Sequence, residues 1–219
     1  MISLTRWGAA AALLDAATYI FGFALLTTVL ASSGYGSDGA DPAQIVAFLV
    51  ENTGLMTVWN LAIYVVNGLA LALLAVALWH KFRPAAPGLA QVVLTFGALW
   101  ATLVVGAGMV ANVGLAEVAS RYATDPEEAV RMWEIILMVE NGLGGGNEIA
   151  GGVWAILVGA AVLTTGMMSR WLGWLSLVIG VSGLLTVLPG LGDTAGAIFG
   201  LGYIVWFVWV GIALLRDRG

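Results

Sequence analysis

The chain is divided into apolar stretches long enough to cross a membrane, and none of them contains a lysine or an arginine. A hydrocarbon core of about 30 Å needs roughly 20 apolar residues in helical form. Such stretches recur six times and cover residues 7–30, 54–79, 88–112, 142–167, 171–188 and 195–215. Because backbone groups in lipid must bond within their own segment, we expect helices. The sequence therefore predicts an all-α polytopic membrane helical bundle, with six transmembrane helices in a single domain over residues 1–219.

The composition agrees with a membrane environment and excludes several kinds of site. Hydrophobic residues make up 61% of the chain and charged residues only 10%, against about 25% charged residues in soluble domains. The chain has no cysteine and one histidine, His80, so it cannot build a thiolate or histidine-rich metal centre or a bis-histidine haem by itself. We expect no metal and no cofactor. The net charge of -5 argues against binding to nucleic acid.

Two short helices are predicted between the spans. Asp41-Pro42 and Asp125-Pro126 each place a capping aspartate before a proline at the first helical position. Gln44 and Glu128 follow three residues after the aspartates and complete the pattern of a capping box. We expect amphipathic helices at both places, the second over residues 126–141, and we place them at the outer membrane interface.

The stretch from Glu140 to Gly152 combines glycine, amide and carboxylate side chains within an apolar segment. In a continuous helix, Glu140, Gly144, Asn147 and Glu148 would share one face. However, residues 126–167 are too many for one straight span at about 1.5 Å per residue. Because glycine clusters are a recognised cause of kinks, we predict a bend near 142–146.

The basic residues predict the orientation of the chain. Cytoplasmic connections of membrane proteins are enriched in lysine and arginine. An inside N-terminus puts six of the eight basic residues on the cytoplasmic side, namely Arg6, Lys81, Arg83, Arg170, Arg216 and Arg218. We therefore expect a multi-pass protein of a bacterial plasma membrane with both termini in the cytoplasm.

Carboxyl groups within the spans are the first candidates for function. Asp15 lies inside the first span, and Glu148 lies near the start of the fourth, close to Glu140, Asn141 and Asn147. An ionisable group in hydrocarbon is costly and needs a partner, water or a proton. With no basic residue in any span, the partner is a proton, a metal ion or an amine. The alternative is a neutral acid that bonds to a neighbouring helix.

A polar stripe on the second span extends this candidate site. Thr53, Thr57, Asn60, Tyr64 and Asn67 recur at steps of four, three, four and three, which places them on one helical face. Such a face can line a cavity. The alternative is hydrogen bonding between helices, which contributes about 0.6 kcal/mol per bond in membranes. We favour a cavity because two asparagines and a tyrosine exceed what packing needs.

Two short motifs stand out within the six spans: Glu140-Asn141-Gly142 in the glycine-rich fourth span and Ser169-Arg170-Trp171-Leu172-Gly173-Trp174 at the start of the fifth. With these motifs, the chain resembles a family of uncharacterised bacterial membrane proteins with six helices. The resemblance implies six spans and a bacterial origin. It implies no catalytic residue and no activity.

Three classes of function remain open. The one we favour is a protein that binds or transports a small cationic or polar solute through Glu148, Asn147, Asn60, Tyr64 and Asn67, with Asp15 deeper in. The second is a non-catalytic membrane subunit or scaffold that packs against a partner protein. A bundle of this small size is also compatible with a homodimer. The third is an enzyme acting on a lipid or isoprenoid, with Glu148 and Asp15 as acid and base.

Overall fold

The computed structural model describes residues 3–36, 39–145 and 147–217, and all regular elements in these ranges are helices. Arg218 and Gly146, which entered the predictions of orientation and bend, lie outside the described residues. The main helices are α1 (Leu4–Thr28), α2 (Pro42–Glu51), α3 (Thr53–Phe82), α4 (Pro87–Tyr122), α5 (Pro126–Glu140), α6 (Ile149–Thr165), α7 (Arg170–Leu185) and α8 (Gly192–Arg216). The predicted all-α fold class is confirmed for the described chain.

Within the described ranges, five segments are long and apolar enough to cross a membrane. They are Leu4–Thr28, Thr53–Phe82, Pro87–Tyr122, Pro126–Thr165 and Gly192–Arg216. The protein is therefore a multi-pass membrane protein. The predicted span at 171–188 corresponds to α7, which has only 16 residues and is about 24 Å long. Because this is shorter than a hydrocarbon core of about 30 Å, the count of six spans stays a prediction.

The long helices form a ring. In the order α1, α3, α4, α6, α7 and α8, each helix packs against the next, and α8 packs against α1. Helices α6 and α7 approach each other closely. A Cβ atom added at Gly152 would lie 2.8 Å from the carbonyl oxygen of Gly180, so only glycine fits there. Small residues thus bring these two backbones together, as is common in membrane helices.

Helices α2 and α5 pack against one end of the ring. Helix α4 has 36 residues and measures about 54 Å, so it extends beyond the length of a bilayer core. α5 runs back along α4, and α2 contacts both. The predicted caps are present, since the Asp41 and Asp125 carboxylates accept hydrogen bonds from the backbone N–H groups of Ala43 (2.9 Å) and Glu128 (3.0 Å). The position of α2 and α5 at a membrane interface stays a prediction.

The chain bends between α5 and α6. A π-helical turn, Asn141–Gly145, follows α5, and Gly144 within it has φ of 124°. This left-handed conformation suits glycine and ends the helix there. The Asn147 side-chain amide donates to the carbonyl oxygens of Asn141 (2.7 Å) and Gly142 (3.3 Å), which satisfies acceptors that the bend has freed.

Candidate functional site

A cavity of about 210 Å³ lies inside the ring, between α1, α3, α4 and the bend before α6. Its walls combine aromatic rings, two polar side chains from α3 and one carboxylate. They are formed by Tyr19, Gly22, Phe23, Leu26, Trp59, Ile63, Tyr64, Asn67, Trp100, Val104, Gly144, Gly145 and Glu148. No lysine, arginine or histidine is in this set. The wall thus has an acidic side chain and no basic one.

Tyr64 connects the cavity to a buried carboxyl group. It lies in a π-helical turn of α3, Leu61–Val66, a kind of turn that is frequent at functional sites. Its hydroxyl donates to Oε1 of Glu140 over 2.6 Å. Glu140 is only 3% exposed, and its Oε2 has no hydrogen-bond partner in the described structure. Glu140 therefore lies behind Tyr64 and not in the wall itself.

Asn67 has the same relation to Asp15. Its side-chain amide donates to Oδ1 of Asp15 over 3.2 Å and to the Thr18 hydroxyl over 3.0 Å. The Thr18 hydroxyl in turn donates to the backbone carbonyl of Asp15. Asp15 is fully buried, and its Oδ2 has no partner among the described residues. Asp15 is thus the second buried carboxyl group behind a polar residue of the wall.

Glu148 differs from both because it belongs to the wall. It precedes α6 directly, and its backbone N–H donates to the hydroxyl of Thr186 over 3.0 Å. That bond fixes the backbone at the start of α6. The Glu148 carboxylate itself makes no hydrogen bond or ion pair within the described ranges. The side chain is half-buried, so its carboxyl group lines the cavity without a partner among the described residues.

The other predicted site residues lie elsewhere. The side-chain amide of Asn60 donates to Oδ1 of Asn112 over 3.2 Å and links α3 to α4. Asn141 and Asn147 stabilise the bend, as described above. Thr53 and Thr57 donate to carbonyl oxygens of their own chain segment. Of the predicted set, the cavity therefore brings together Tyr64, Asn67 and Glu148, with Glu140 and Asp15 behind them.

Apart from Tyr64, the sequence pattern did not identify the aromatic part of the wall. Tyr19, Gly22 and Leu26 follow Asp15 at steps of four, three and four, so a helical face of α1 that includes Asp15 could have been read from the sequence. The rings of Trp59 on α3 and Trp100 on α4 could not. They lie at the cavity because of how three helices pack, and no local pattern encodes that packing.

Aromatic side chains fill the interior of the helix ring below the cavity. Trp100 lines the cavity and packs against Trp154 and Tyr203, with ring centroids 5.5 and 5.1 Å away. Trp154 donates to the carbonyl oxygen of Val93, and Tyr203 donates to that of Gly151, both over 3.0 Å. Polar atoms here are paired, which separates this region from the cavity above it.

The arrangement suits noncovalent binding. Within the described ranges, no group of three or more histidine, cysteine, aspartate or glutamate side chains comes close enough to hold a metal ion. A lone carboxylate among aromatic rings is a feature of sites that recognise ammonium groups, since both attract cations.

Comparisons with known proteins agree with the sequence resemblance. No curated protein and no solved structure matches the chain. A family model, described as a domain of unknown function (DUF4386), matches residues 8–213. That match includes the ring, the bend and every residue of the cavity wall, and it confirms the expected membership of an uncharacterised family. The chain therefore belongs to the DUF4386 family.

Proposed function

We propose that this protein binds a small organic cation in the cavity, as a binding protein or transporter of a bacterial plasma membrane. The observation that carries the proposal is the Glu148 carboxylate, which faces the cavity without a partner within the described chain. An uncompensated charge in a poorly hydrated site is costly. An ammonium group placed beside Glu148 would offset that cost, whereas an anion would increase it.

The polar side chains of the wall also favour a cation. The Tyr64 hydroxyl and the Asn67 amide donate their hydrogens to groups behind the wall. The Tyr64 oxygen and the Asn67 carbonyl remain as hydrogen-bond acceptors. A wall that offers acceptors but few donors suits a ligand that donates, as an ammonium group does.

The aromatic rings and the volume narrow the class of ligand. Tyr19, Phe23, Trp59 and Trp100 contribute aromatic rings to the wall, and a ring face that meets a cation contributes about 0.5–2 kcal/mol. A cavity of about 150 Å³ holds benzene in an engineered protein, so one of about 210 Å³ accommodates a slightly larger molecule. A primary or quaternary amine with a short apolar group fits these limits.

The basic residues support an orientation with both termini in the cytoplasm. Arg6 and Arg170 lie at the starts of α1 and α7, whereas Lys81, Arg83 and Arg216 lie at the ends of α3 and α8. Because these two pairs of helices run in opposite directions, the five basic residues lie at the same end of the ring. This asymmetry follows the positive-inside rule. The cavity would then open toward the outer half of the bundle, and passage to the inside would require the aromatic side chains below it to move.

The test is calorimetric titration of the protein in lipid nanodiscs with 2-phenylethylammonium. We expect binding to wild type, at least tenfold weaker binding to Glu148→Gln, and unchanged binding to Glu117→Gln. The last variant is the control, because Glu117 is exposed on α4 and does not line the cavity. The neutral analogue 2-phenylethanol should bind all three proteins equally weakly.

Either of two results would contradict the proposal. One is equal binding of the ammonium compound to wild type and Glu148→Gln. The other is the absence of ammonium binding to wild type across a panel of small amines.

A further inference from the structure

A second space lies on the other side of the bend. It is a groove of about 220 Å³ between α4, the bend and the first turns of α6. Its lining is almost wholly apolar and consists of Phe96, Leu99, Trp100, Leu103, Gly142, Leu143, Gly144, Asn147, Ile149, Ala150 and Val153. Leu99 and Ile149 are 49% and 44% exposed. Because α4 and α6 belong to segments that are long and apolar enough to span a membrane, we expect this groove to face hydrocarbon.

The groove and the cavity share a wall. Trp100 and Gly144 line both spaces. Gly144 contributes no side chain, and a Cβ atom added there would meet nothing within 4 Å. The partition at this point therefore consists of the Gly144 backbone and the Trp100 side chain.

The chemistry of the two spaces is complementary. The cavity has a carboxylate and hydrogen-bond acceptors, as shown above. The one polar side chain of the groove, Asn147, uses its amide on the carbonyl oxygens of Asn141 and Gly142. The groove thus offers only apolar contact, which suits a hydrocarbon chain.

We infer that the ligand is an amphiphilic amine, with its ammonium group at Glu148 and its hydrocarbon chain leaving the cavity past Gly144 into the groove and the bilayer. The inference rests on the proposed function, since it needs a cation in the cavity. It adds that the ligand reaches the site from the lipid and is not confined to water-soluble amines. The break at Gly144 then has a role, because a continuous helix with side chains would close this exit.

Two amines distinguish a ligand that stays inside the cavity from one whose chain enters the groove. Butylammonium fits inside the cavity, whereas hexadecylammonium has a chain long enough to cross one leaflet of about 15 Å. Each is used to displace radiolabelled 2-phenylethylammonium from the protein in nanodiscs. Concentrations in the bilayer are measured with empty nanodiscs, so that partition into lipid does not count as binding. Hexadecanol is the uncharged control.

We expect both amines to displace the label from wild type, with hexadecylammonium at least as effective as butylammonium. In Val153→Phe, a larger side chain fills the groove. We expect that variant to keep its affinity for butylammonium and to lose at least tenfold for hexadecylammonium. Val178→Phe is the matched control, since Val178 is 57% exposed on α7 and lines neither space.

The outcomes distinguish the two proposals. If butylammonium binds in a Glu148-dependent way but hexadecylammonium does not compete in wild type, the exit through the groove is wrong and the cation cavity stands. Equal loss of hexadecylammonium binding in Val153→Phe and Val178→Phe also overturns the exit. If neither amine depends on Glu148, the proposed function itself fails. Leu99→Trp, which fills the groove from α4, replaces Val153→Phe if that variant does not bind butylammonium.

Discussion

The interior of the ring has two halves of opposite character. In the aromatic half, the indole N–H of Trp206 donates to the Ser176 hydroxyl over 2.6 Å, and Trp154 and Tyr203 are bonded as well. In the cavity half, the Glu148 carboxyl group has no partner within the described chain, and one carboxyl oxygen each of Asp15 and Glu140 is also unpaired. The first half is built to stabilise the fold. The second keeps unfavourable polar groups, which is the usual mark of a functional region.

The largest effect should come from the aromatic half. Trp206 is fully buried, so Trp206→Ala leaves a cavity and removes the partner of Ser176. We expect the free energy of unfolding to fall by about 3–5 kcal/mol, measured by chemical denaturation in detergent micelles. Trp171→Ala is the control, because Trp171 is 75% exposed. Similar losses in the two variants would contradict the division into halves.

Tyr64→Phe tests the hydrogen bond between Tyr64 in the cavity wall and Glu140 behind it. It removes the hydroxyl that donates to Glu140 and leaves a buried carboxyl group with no partner. Leaving a buried polar group without its hydrogen-bond partner costs about 1–3 kcal/mol, and we expect a loss of that size. Adding Glu140→Met should recover much of it, as a double-mutant cycle would reveal. A cycle without coupling would show that the pair does not stabilise the fold.

Glu148→Met should change stability in the opposite direction. It replaces a carboxylate that has no partner in the described structure by an apolar side chain of similar length. Because burying an unpaired polar group costs about 1–3 kcal/mol, we expect the unfolding free energy to rise by that amount in the same denaturation experiment. A decrease like that of Trp206→Ala would mean that Glu148 stabilises the fold.

Gly144→Ala and Gly142→Ala compare the two glycines of the bend that differ in backbone conformation. A Cβ atom would meet no neighbour at either position, but only Gly144 has a positive φ, of 124°. We expect Gly144→Ala to lower the unfolding free energy by about 1–2 kcal/mol and to weaken ammonium binding, because the wall shifts. Gly142→Ala should do neither. Equal behaviour of the two would show that the bend does not depend on the left-handed residue.

The apolar pattern and the caps were predictable from the sequence because they depend on neighbours in the chain. Asp41 and Asp125 cap helices through residues two or three positions away, and the bend depends on glycines next to one another. The candidate site was predictable only in part. Spacing placed Asn60, Tyr64 and Asn67 on one face, yet Asn60 bonds to α4 while Asn67 bonds to α1. A stripe shows that a face is polar, whereas its partners depend on packing.

The length of α7 shows a different limit of prediction from sequence. Apolar composition predicted a span over 171–188, but the helix ends at Leu185, just before Pro189-Gly190. Composition averages over a window, whereas turn residues act at single positions. The number of crossings therefore depends on how α7 sits in the bilayer, which the residue pattern alone does not fix.

The most direct test of the account is infrared difference spectroscopy of the carboxylate bands when 2-phenylethylammonium is added to the protein in nanodiscs. We predict that the stretching bands of a single carboxylate shift in wild type, that this shift is absent in Glu148→Gln, and that it remains in Glu117→Gln. Addition of 2-phenylethanol should produce no such shift. A spectrum in which the same bands move in wild type and in Glu148→Gln, or in which none moves, would contradict the claim that Glu148 binds a cation.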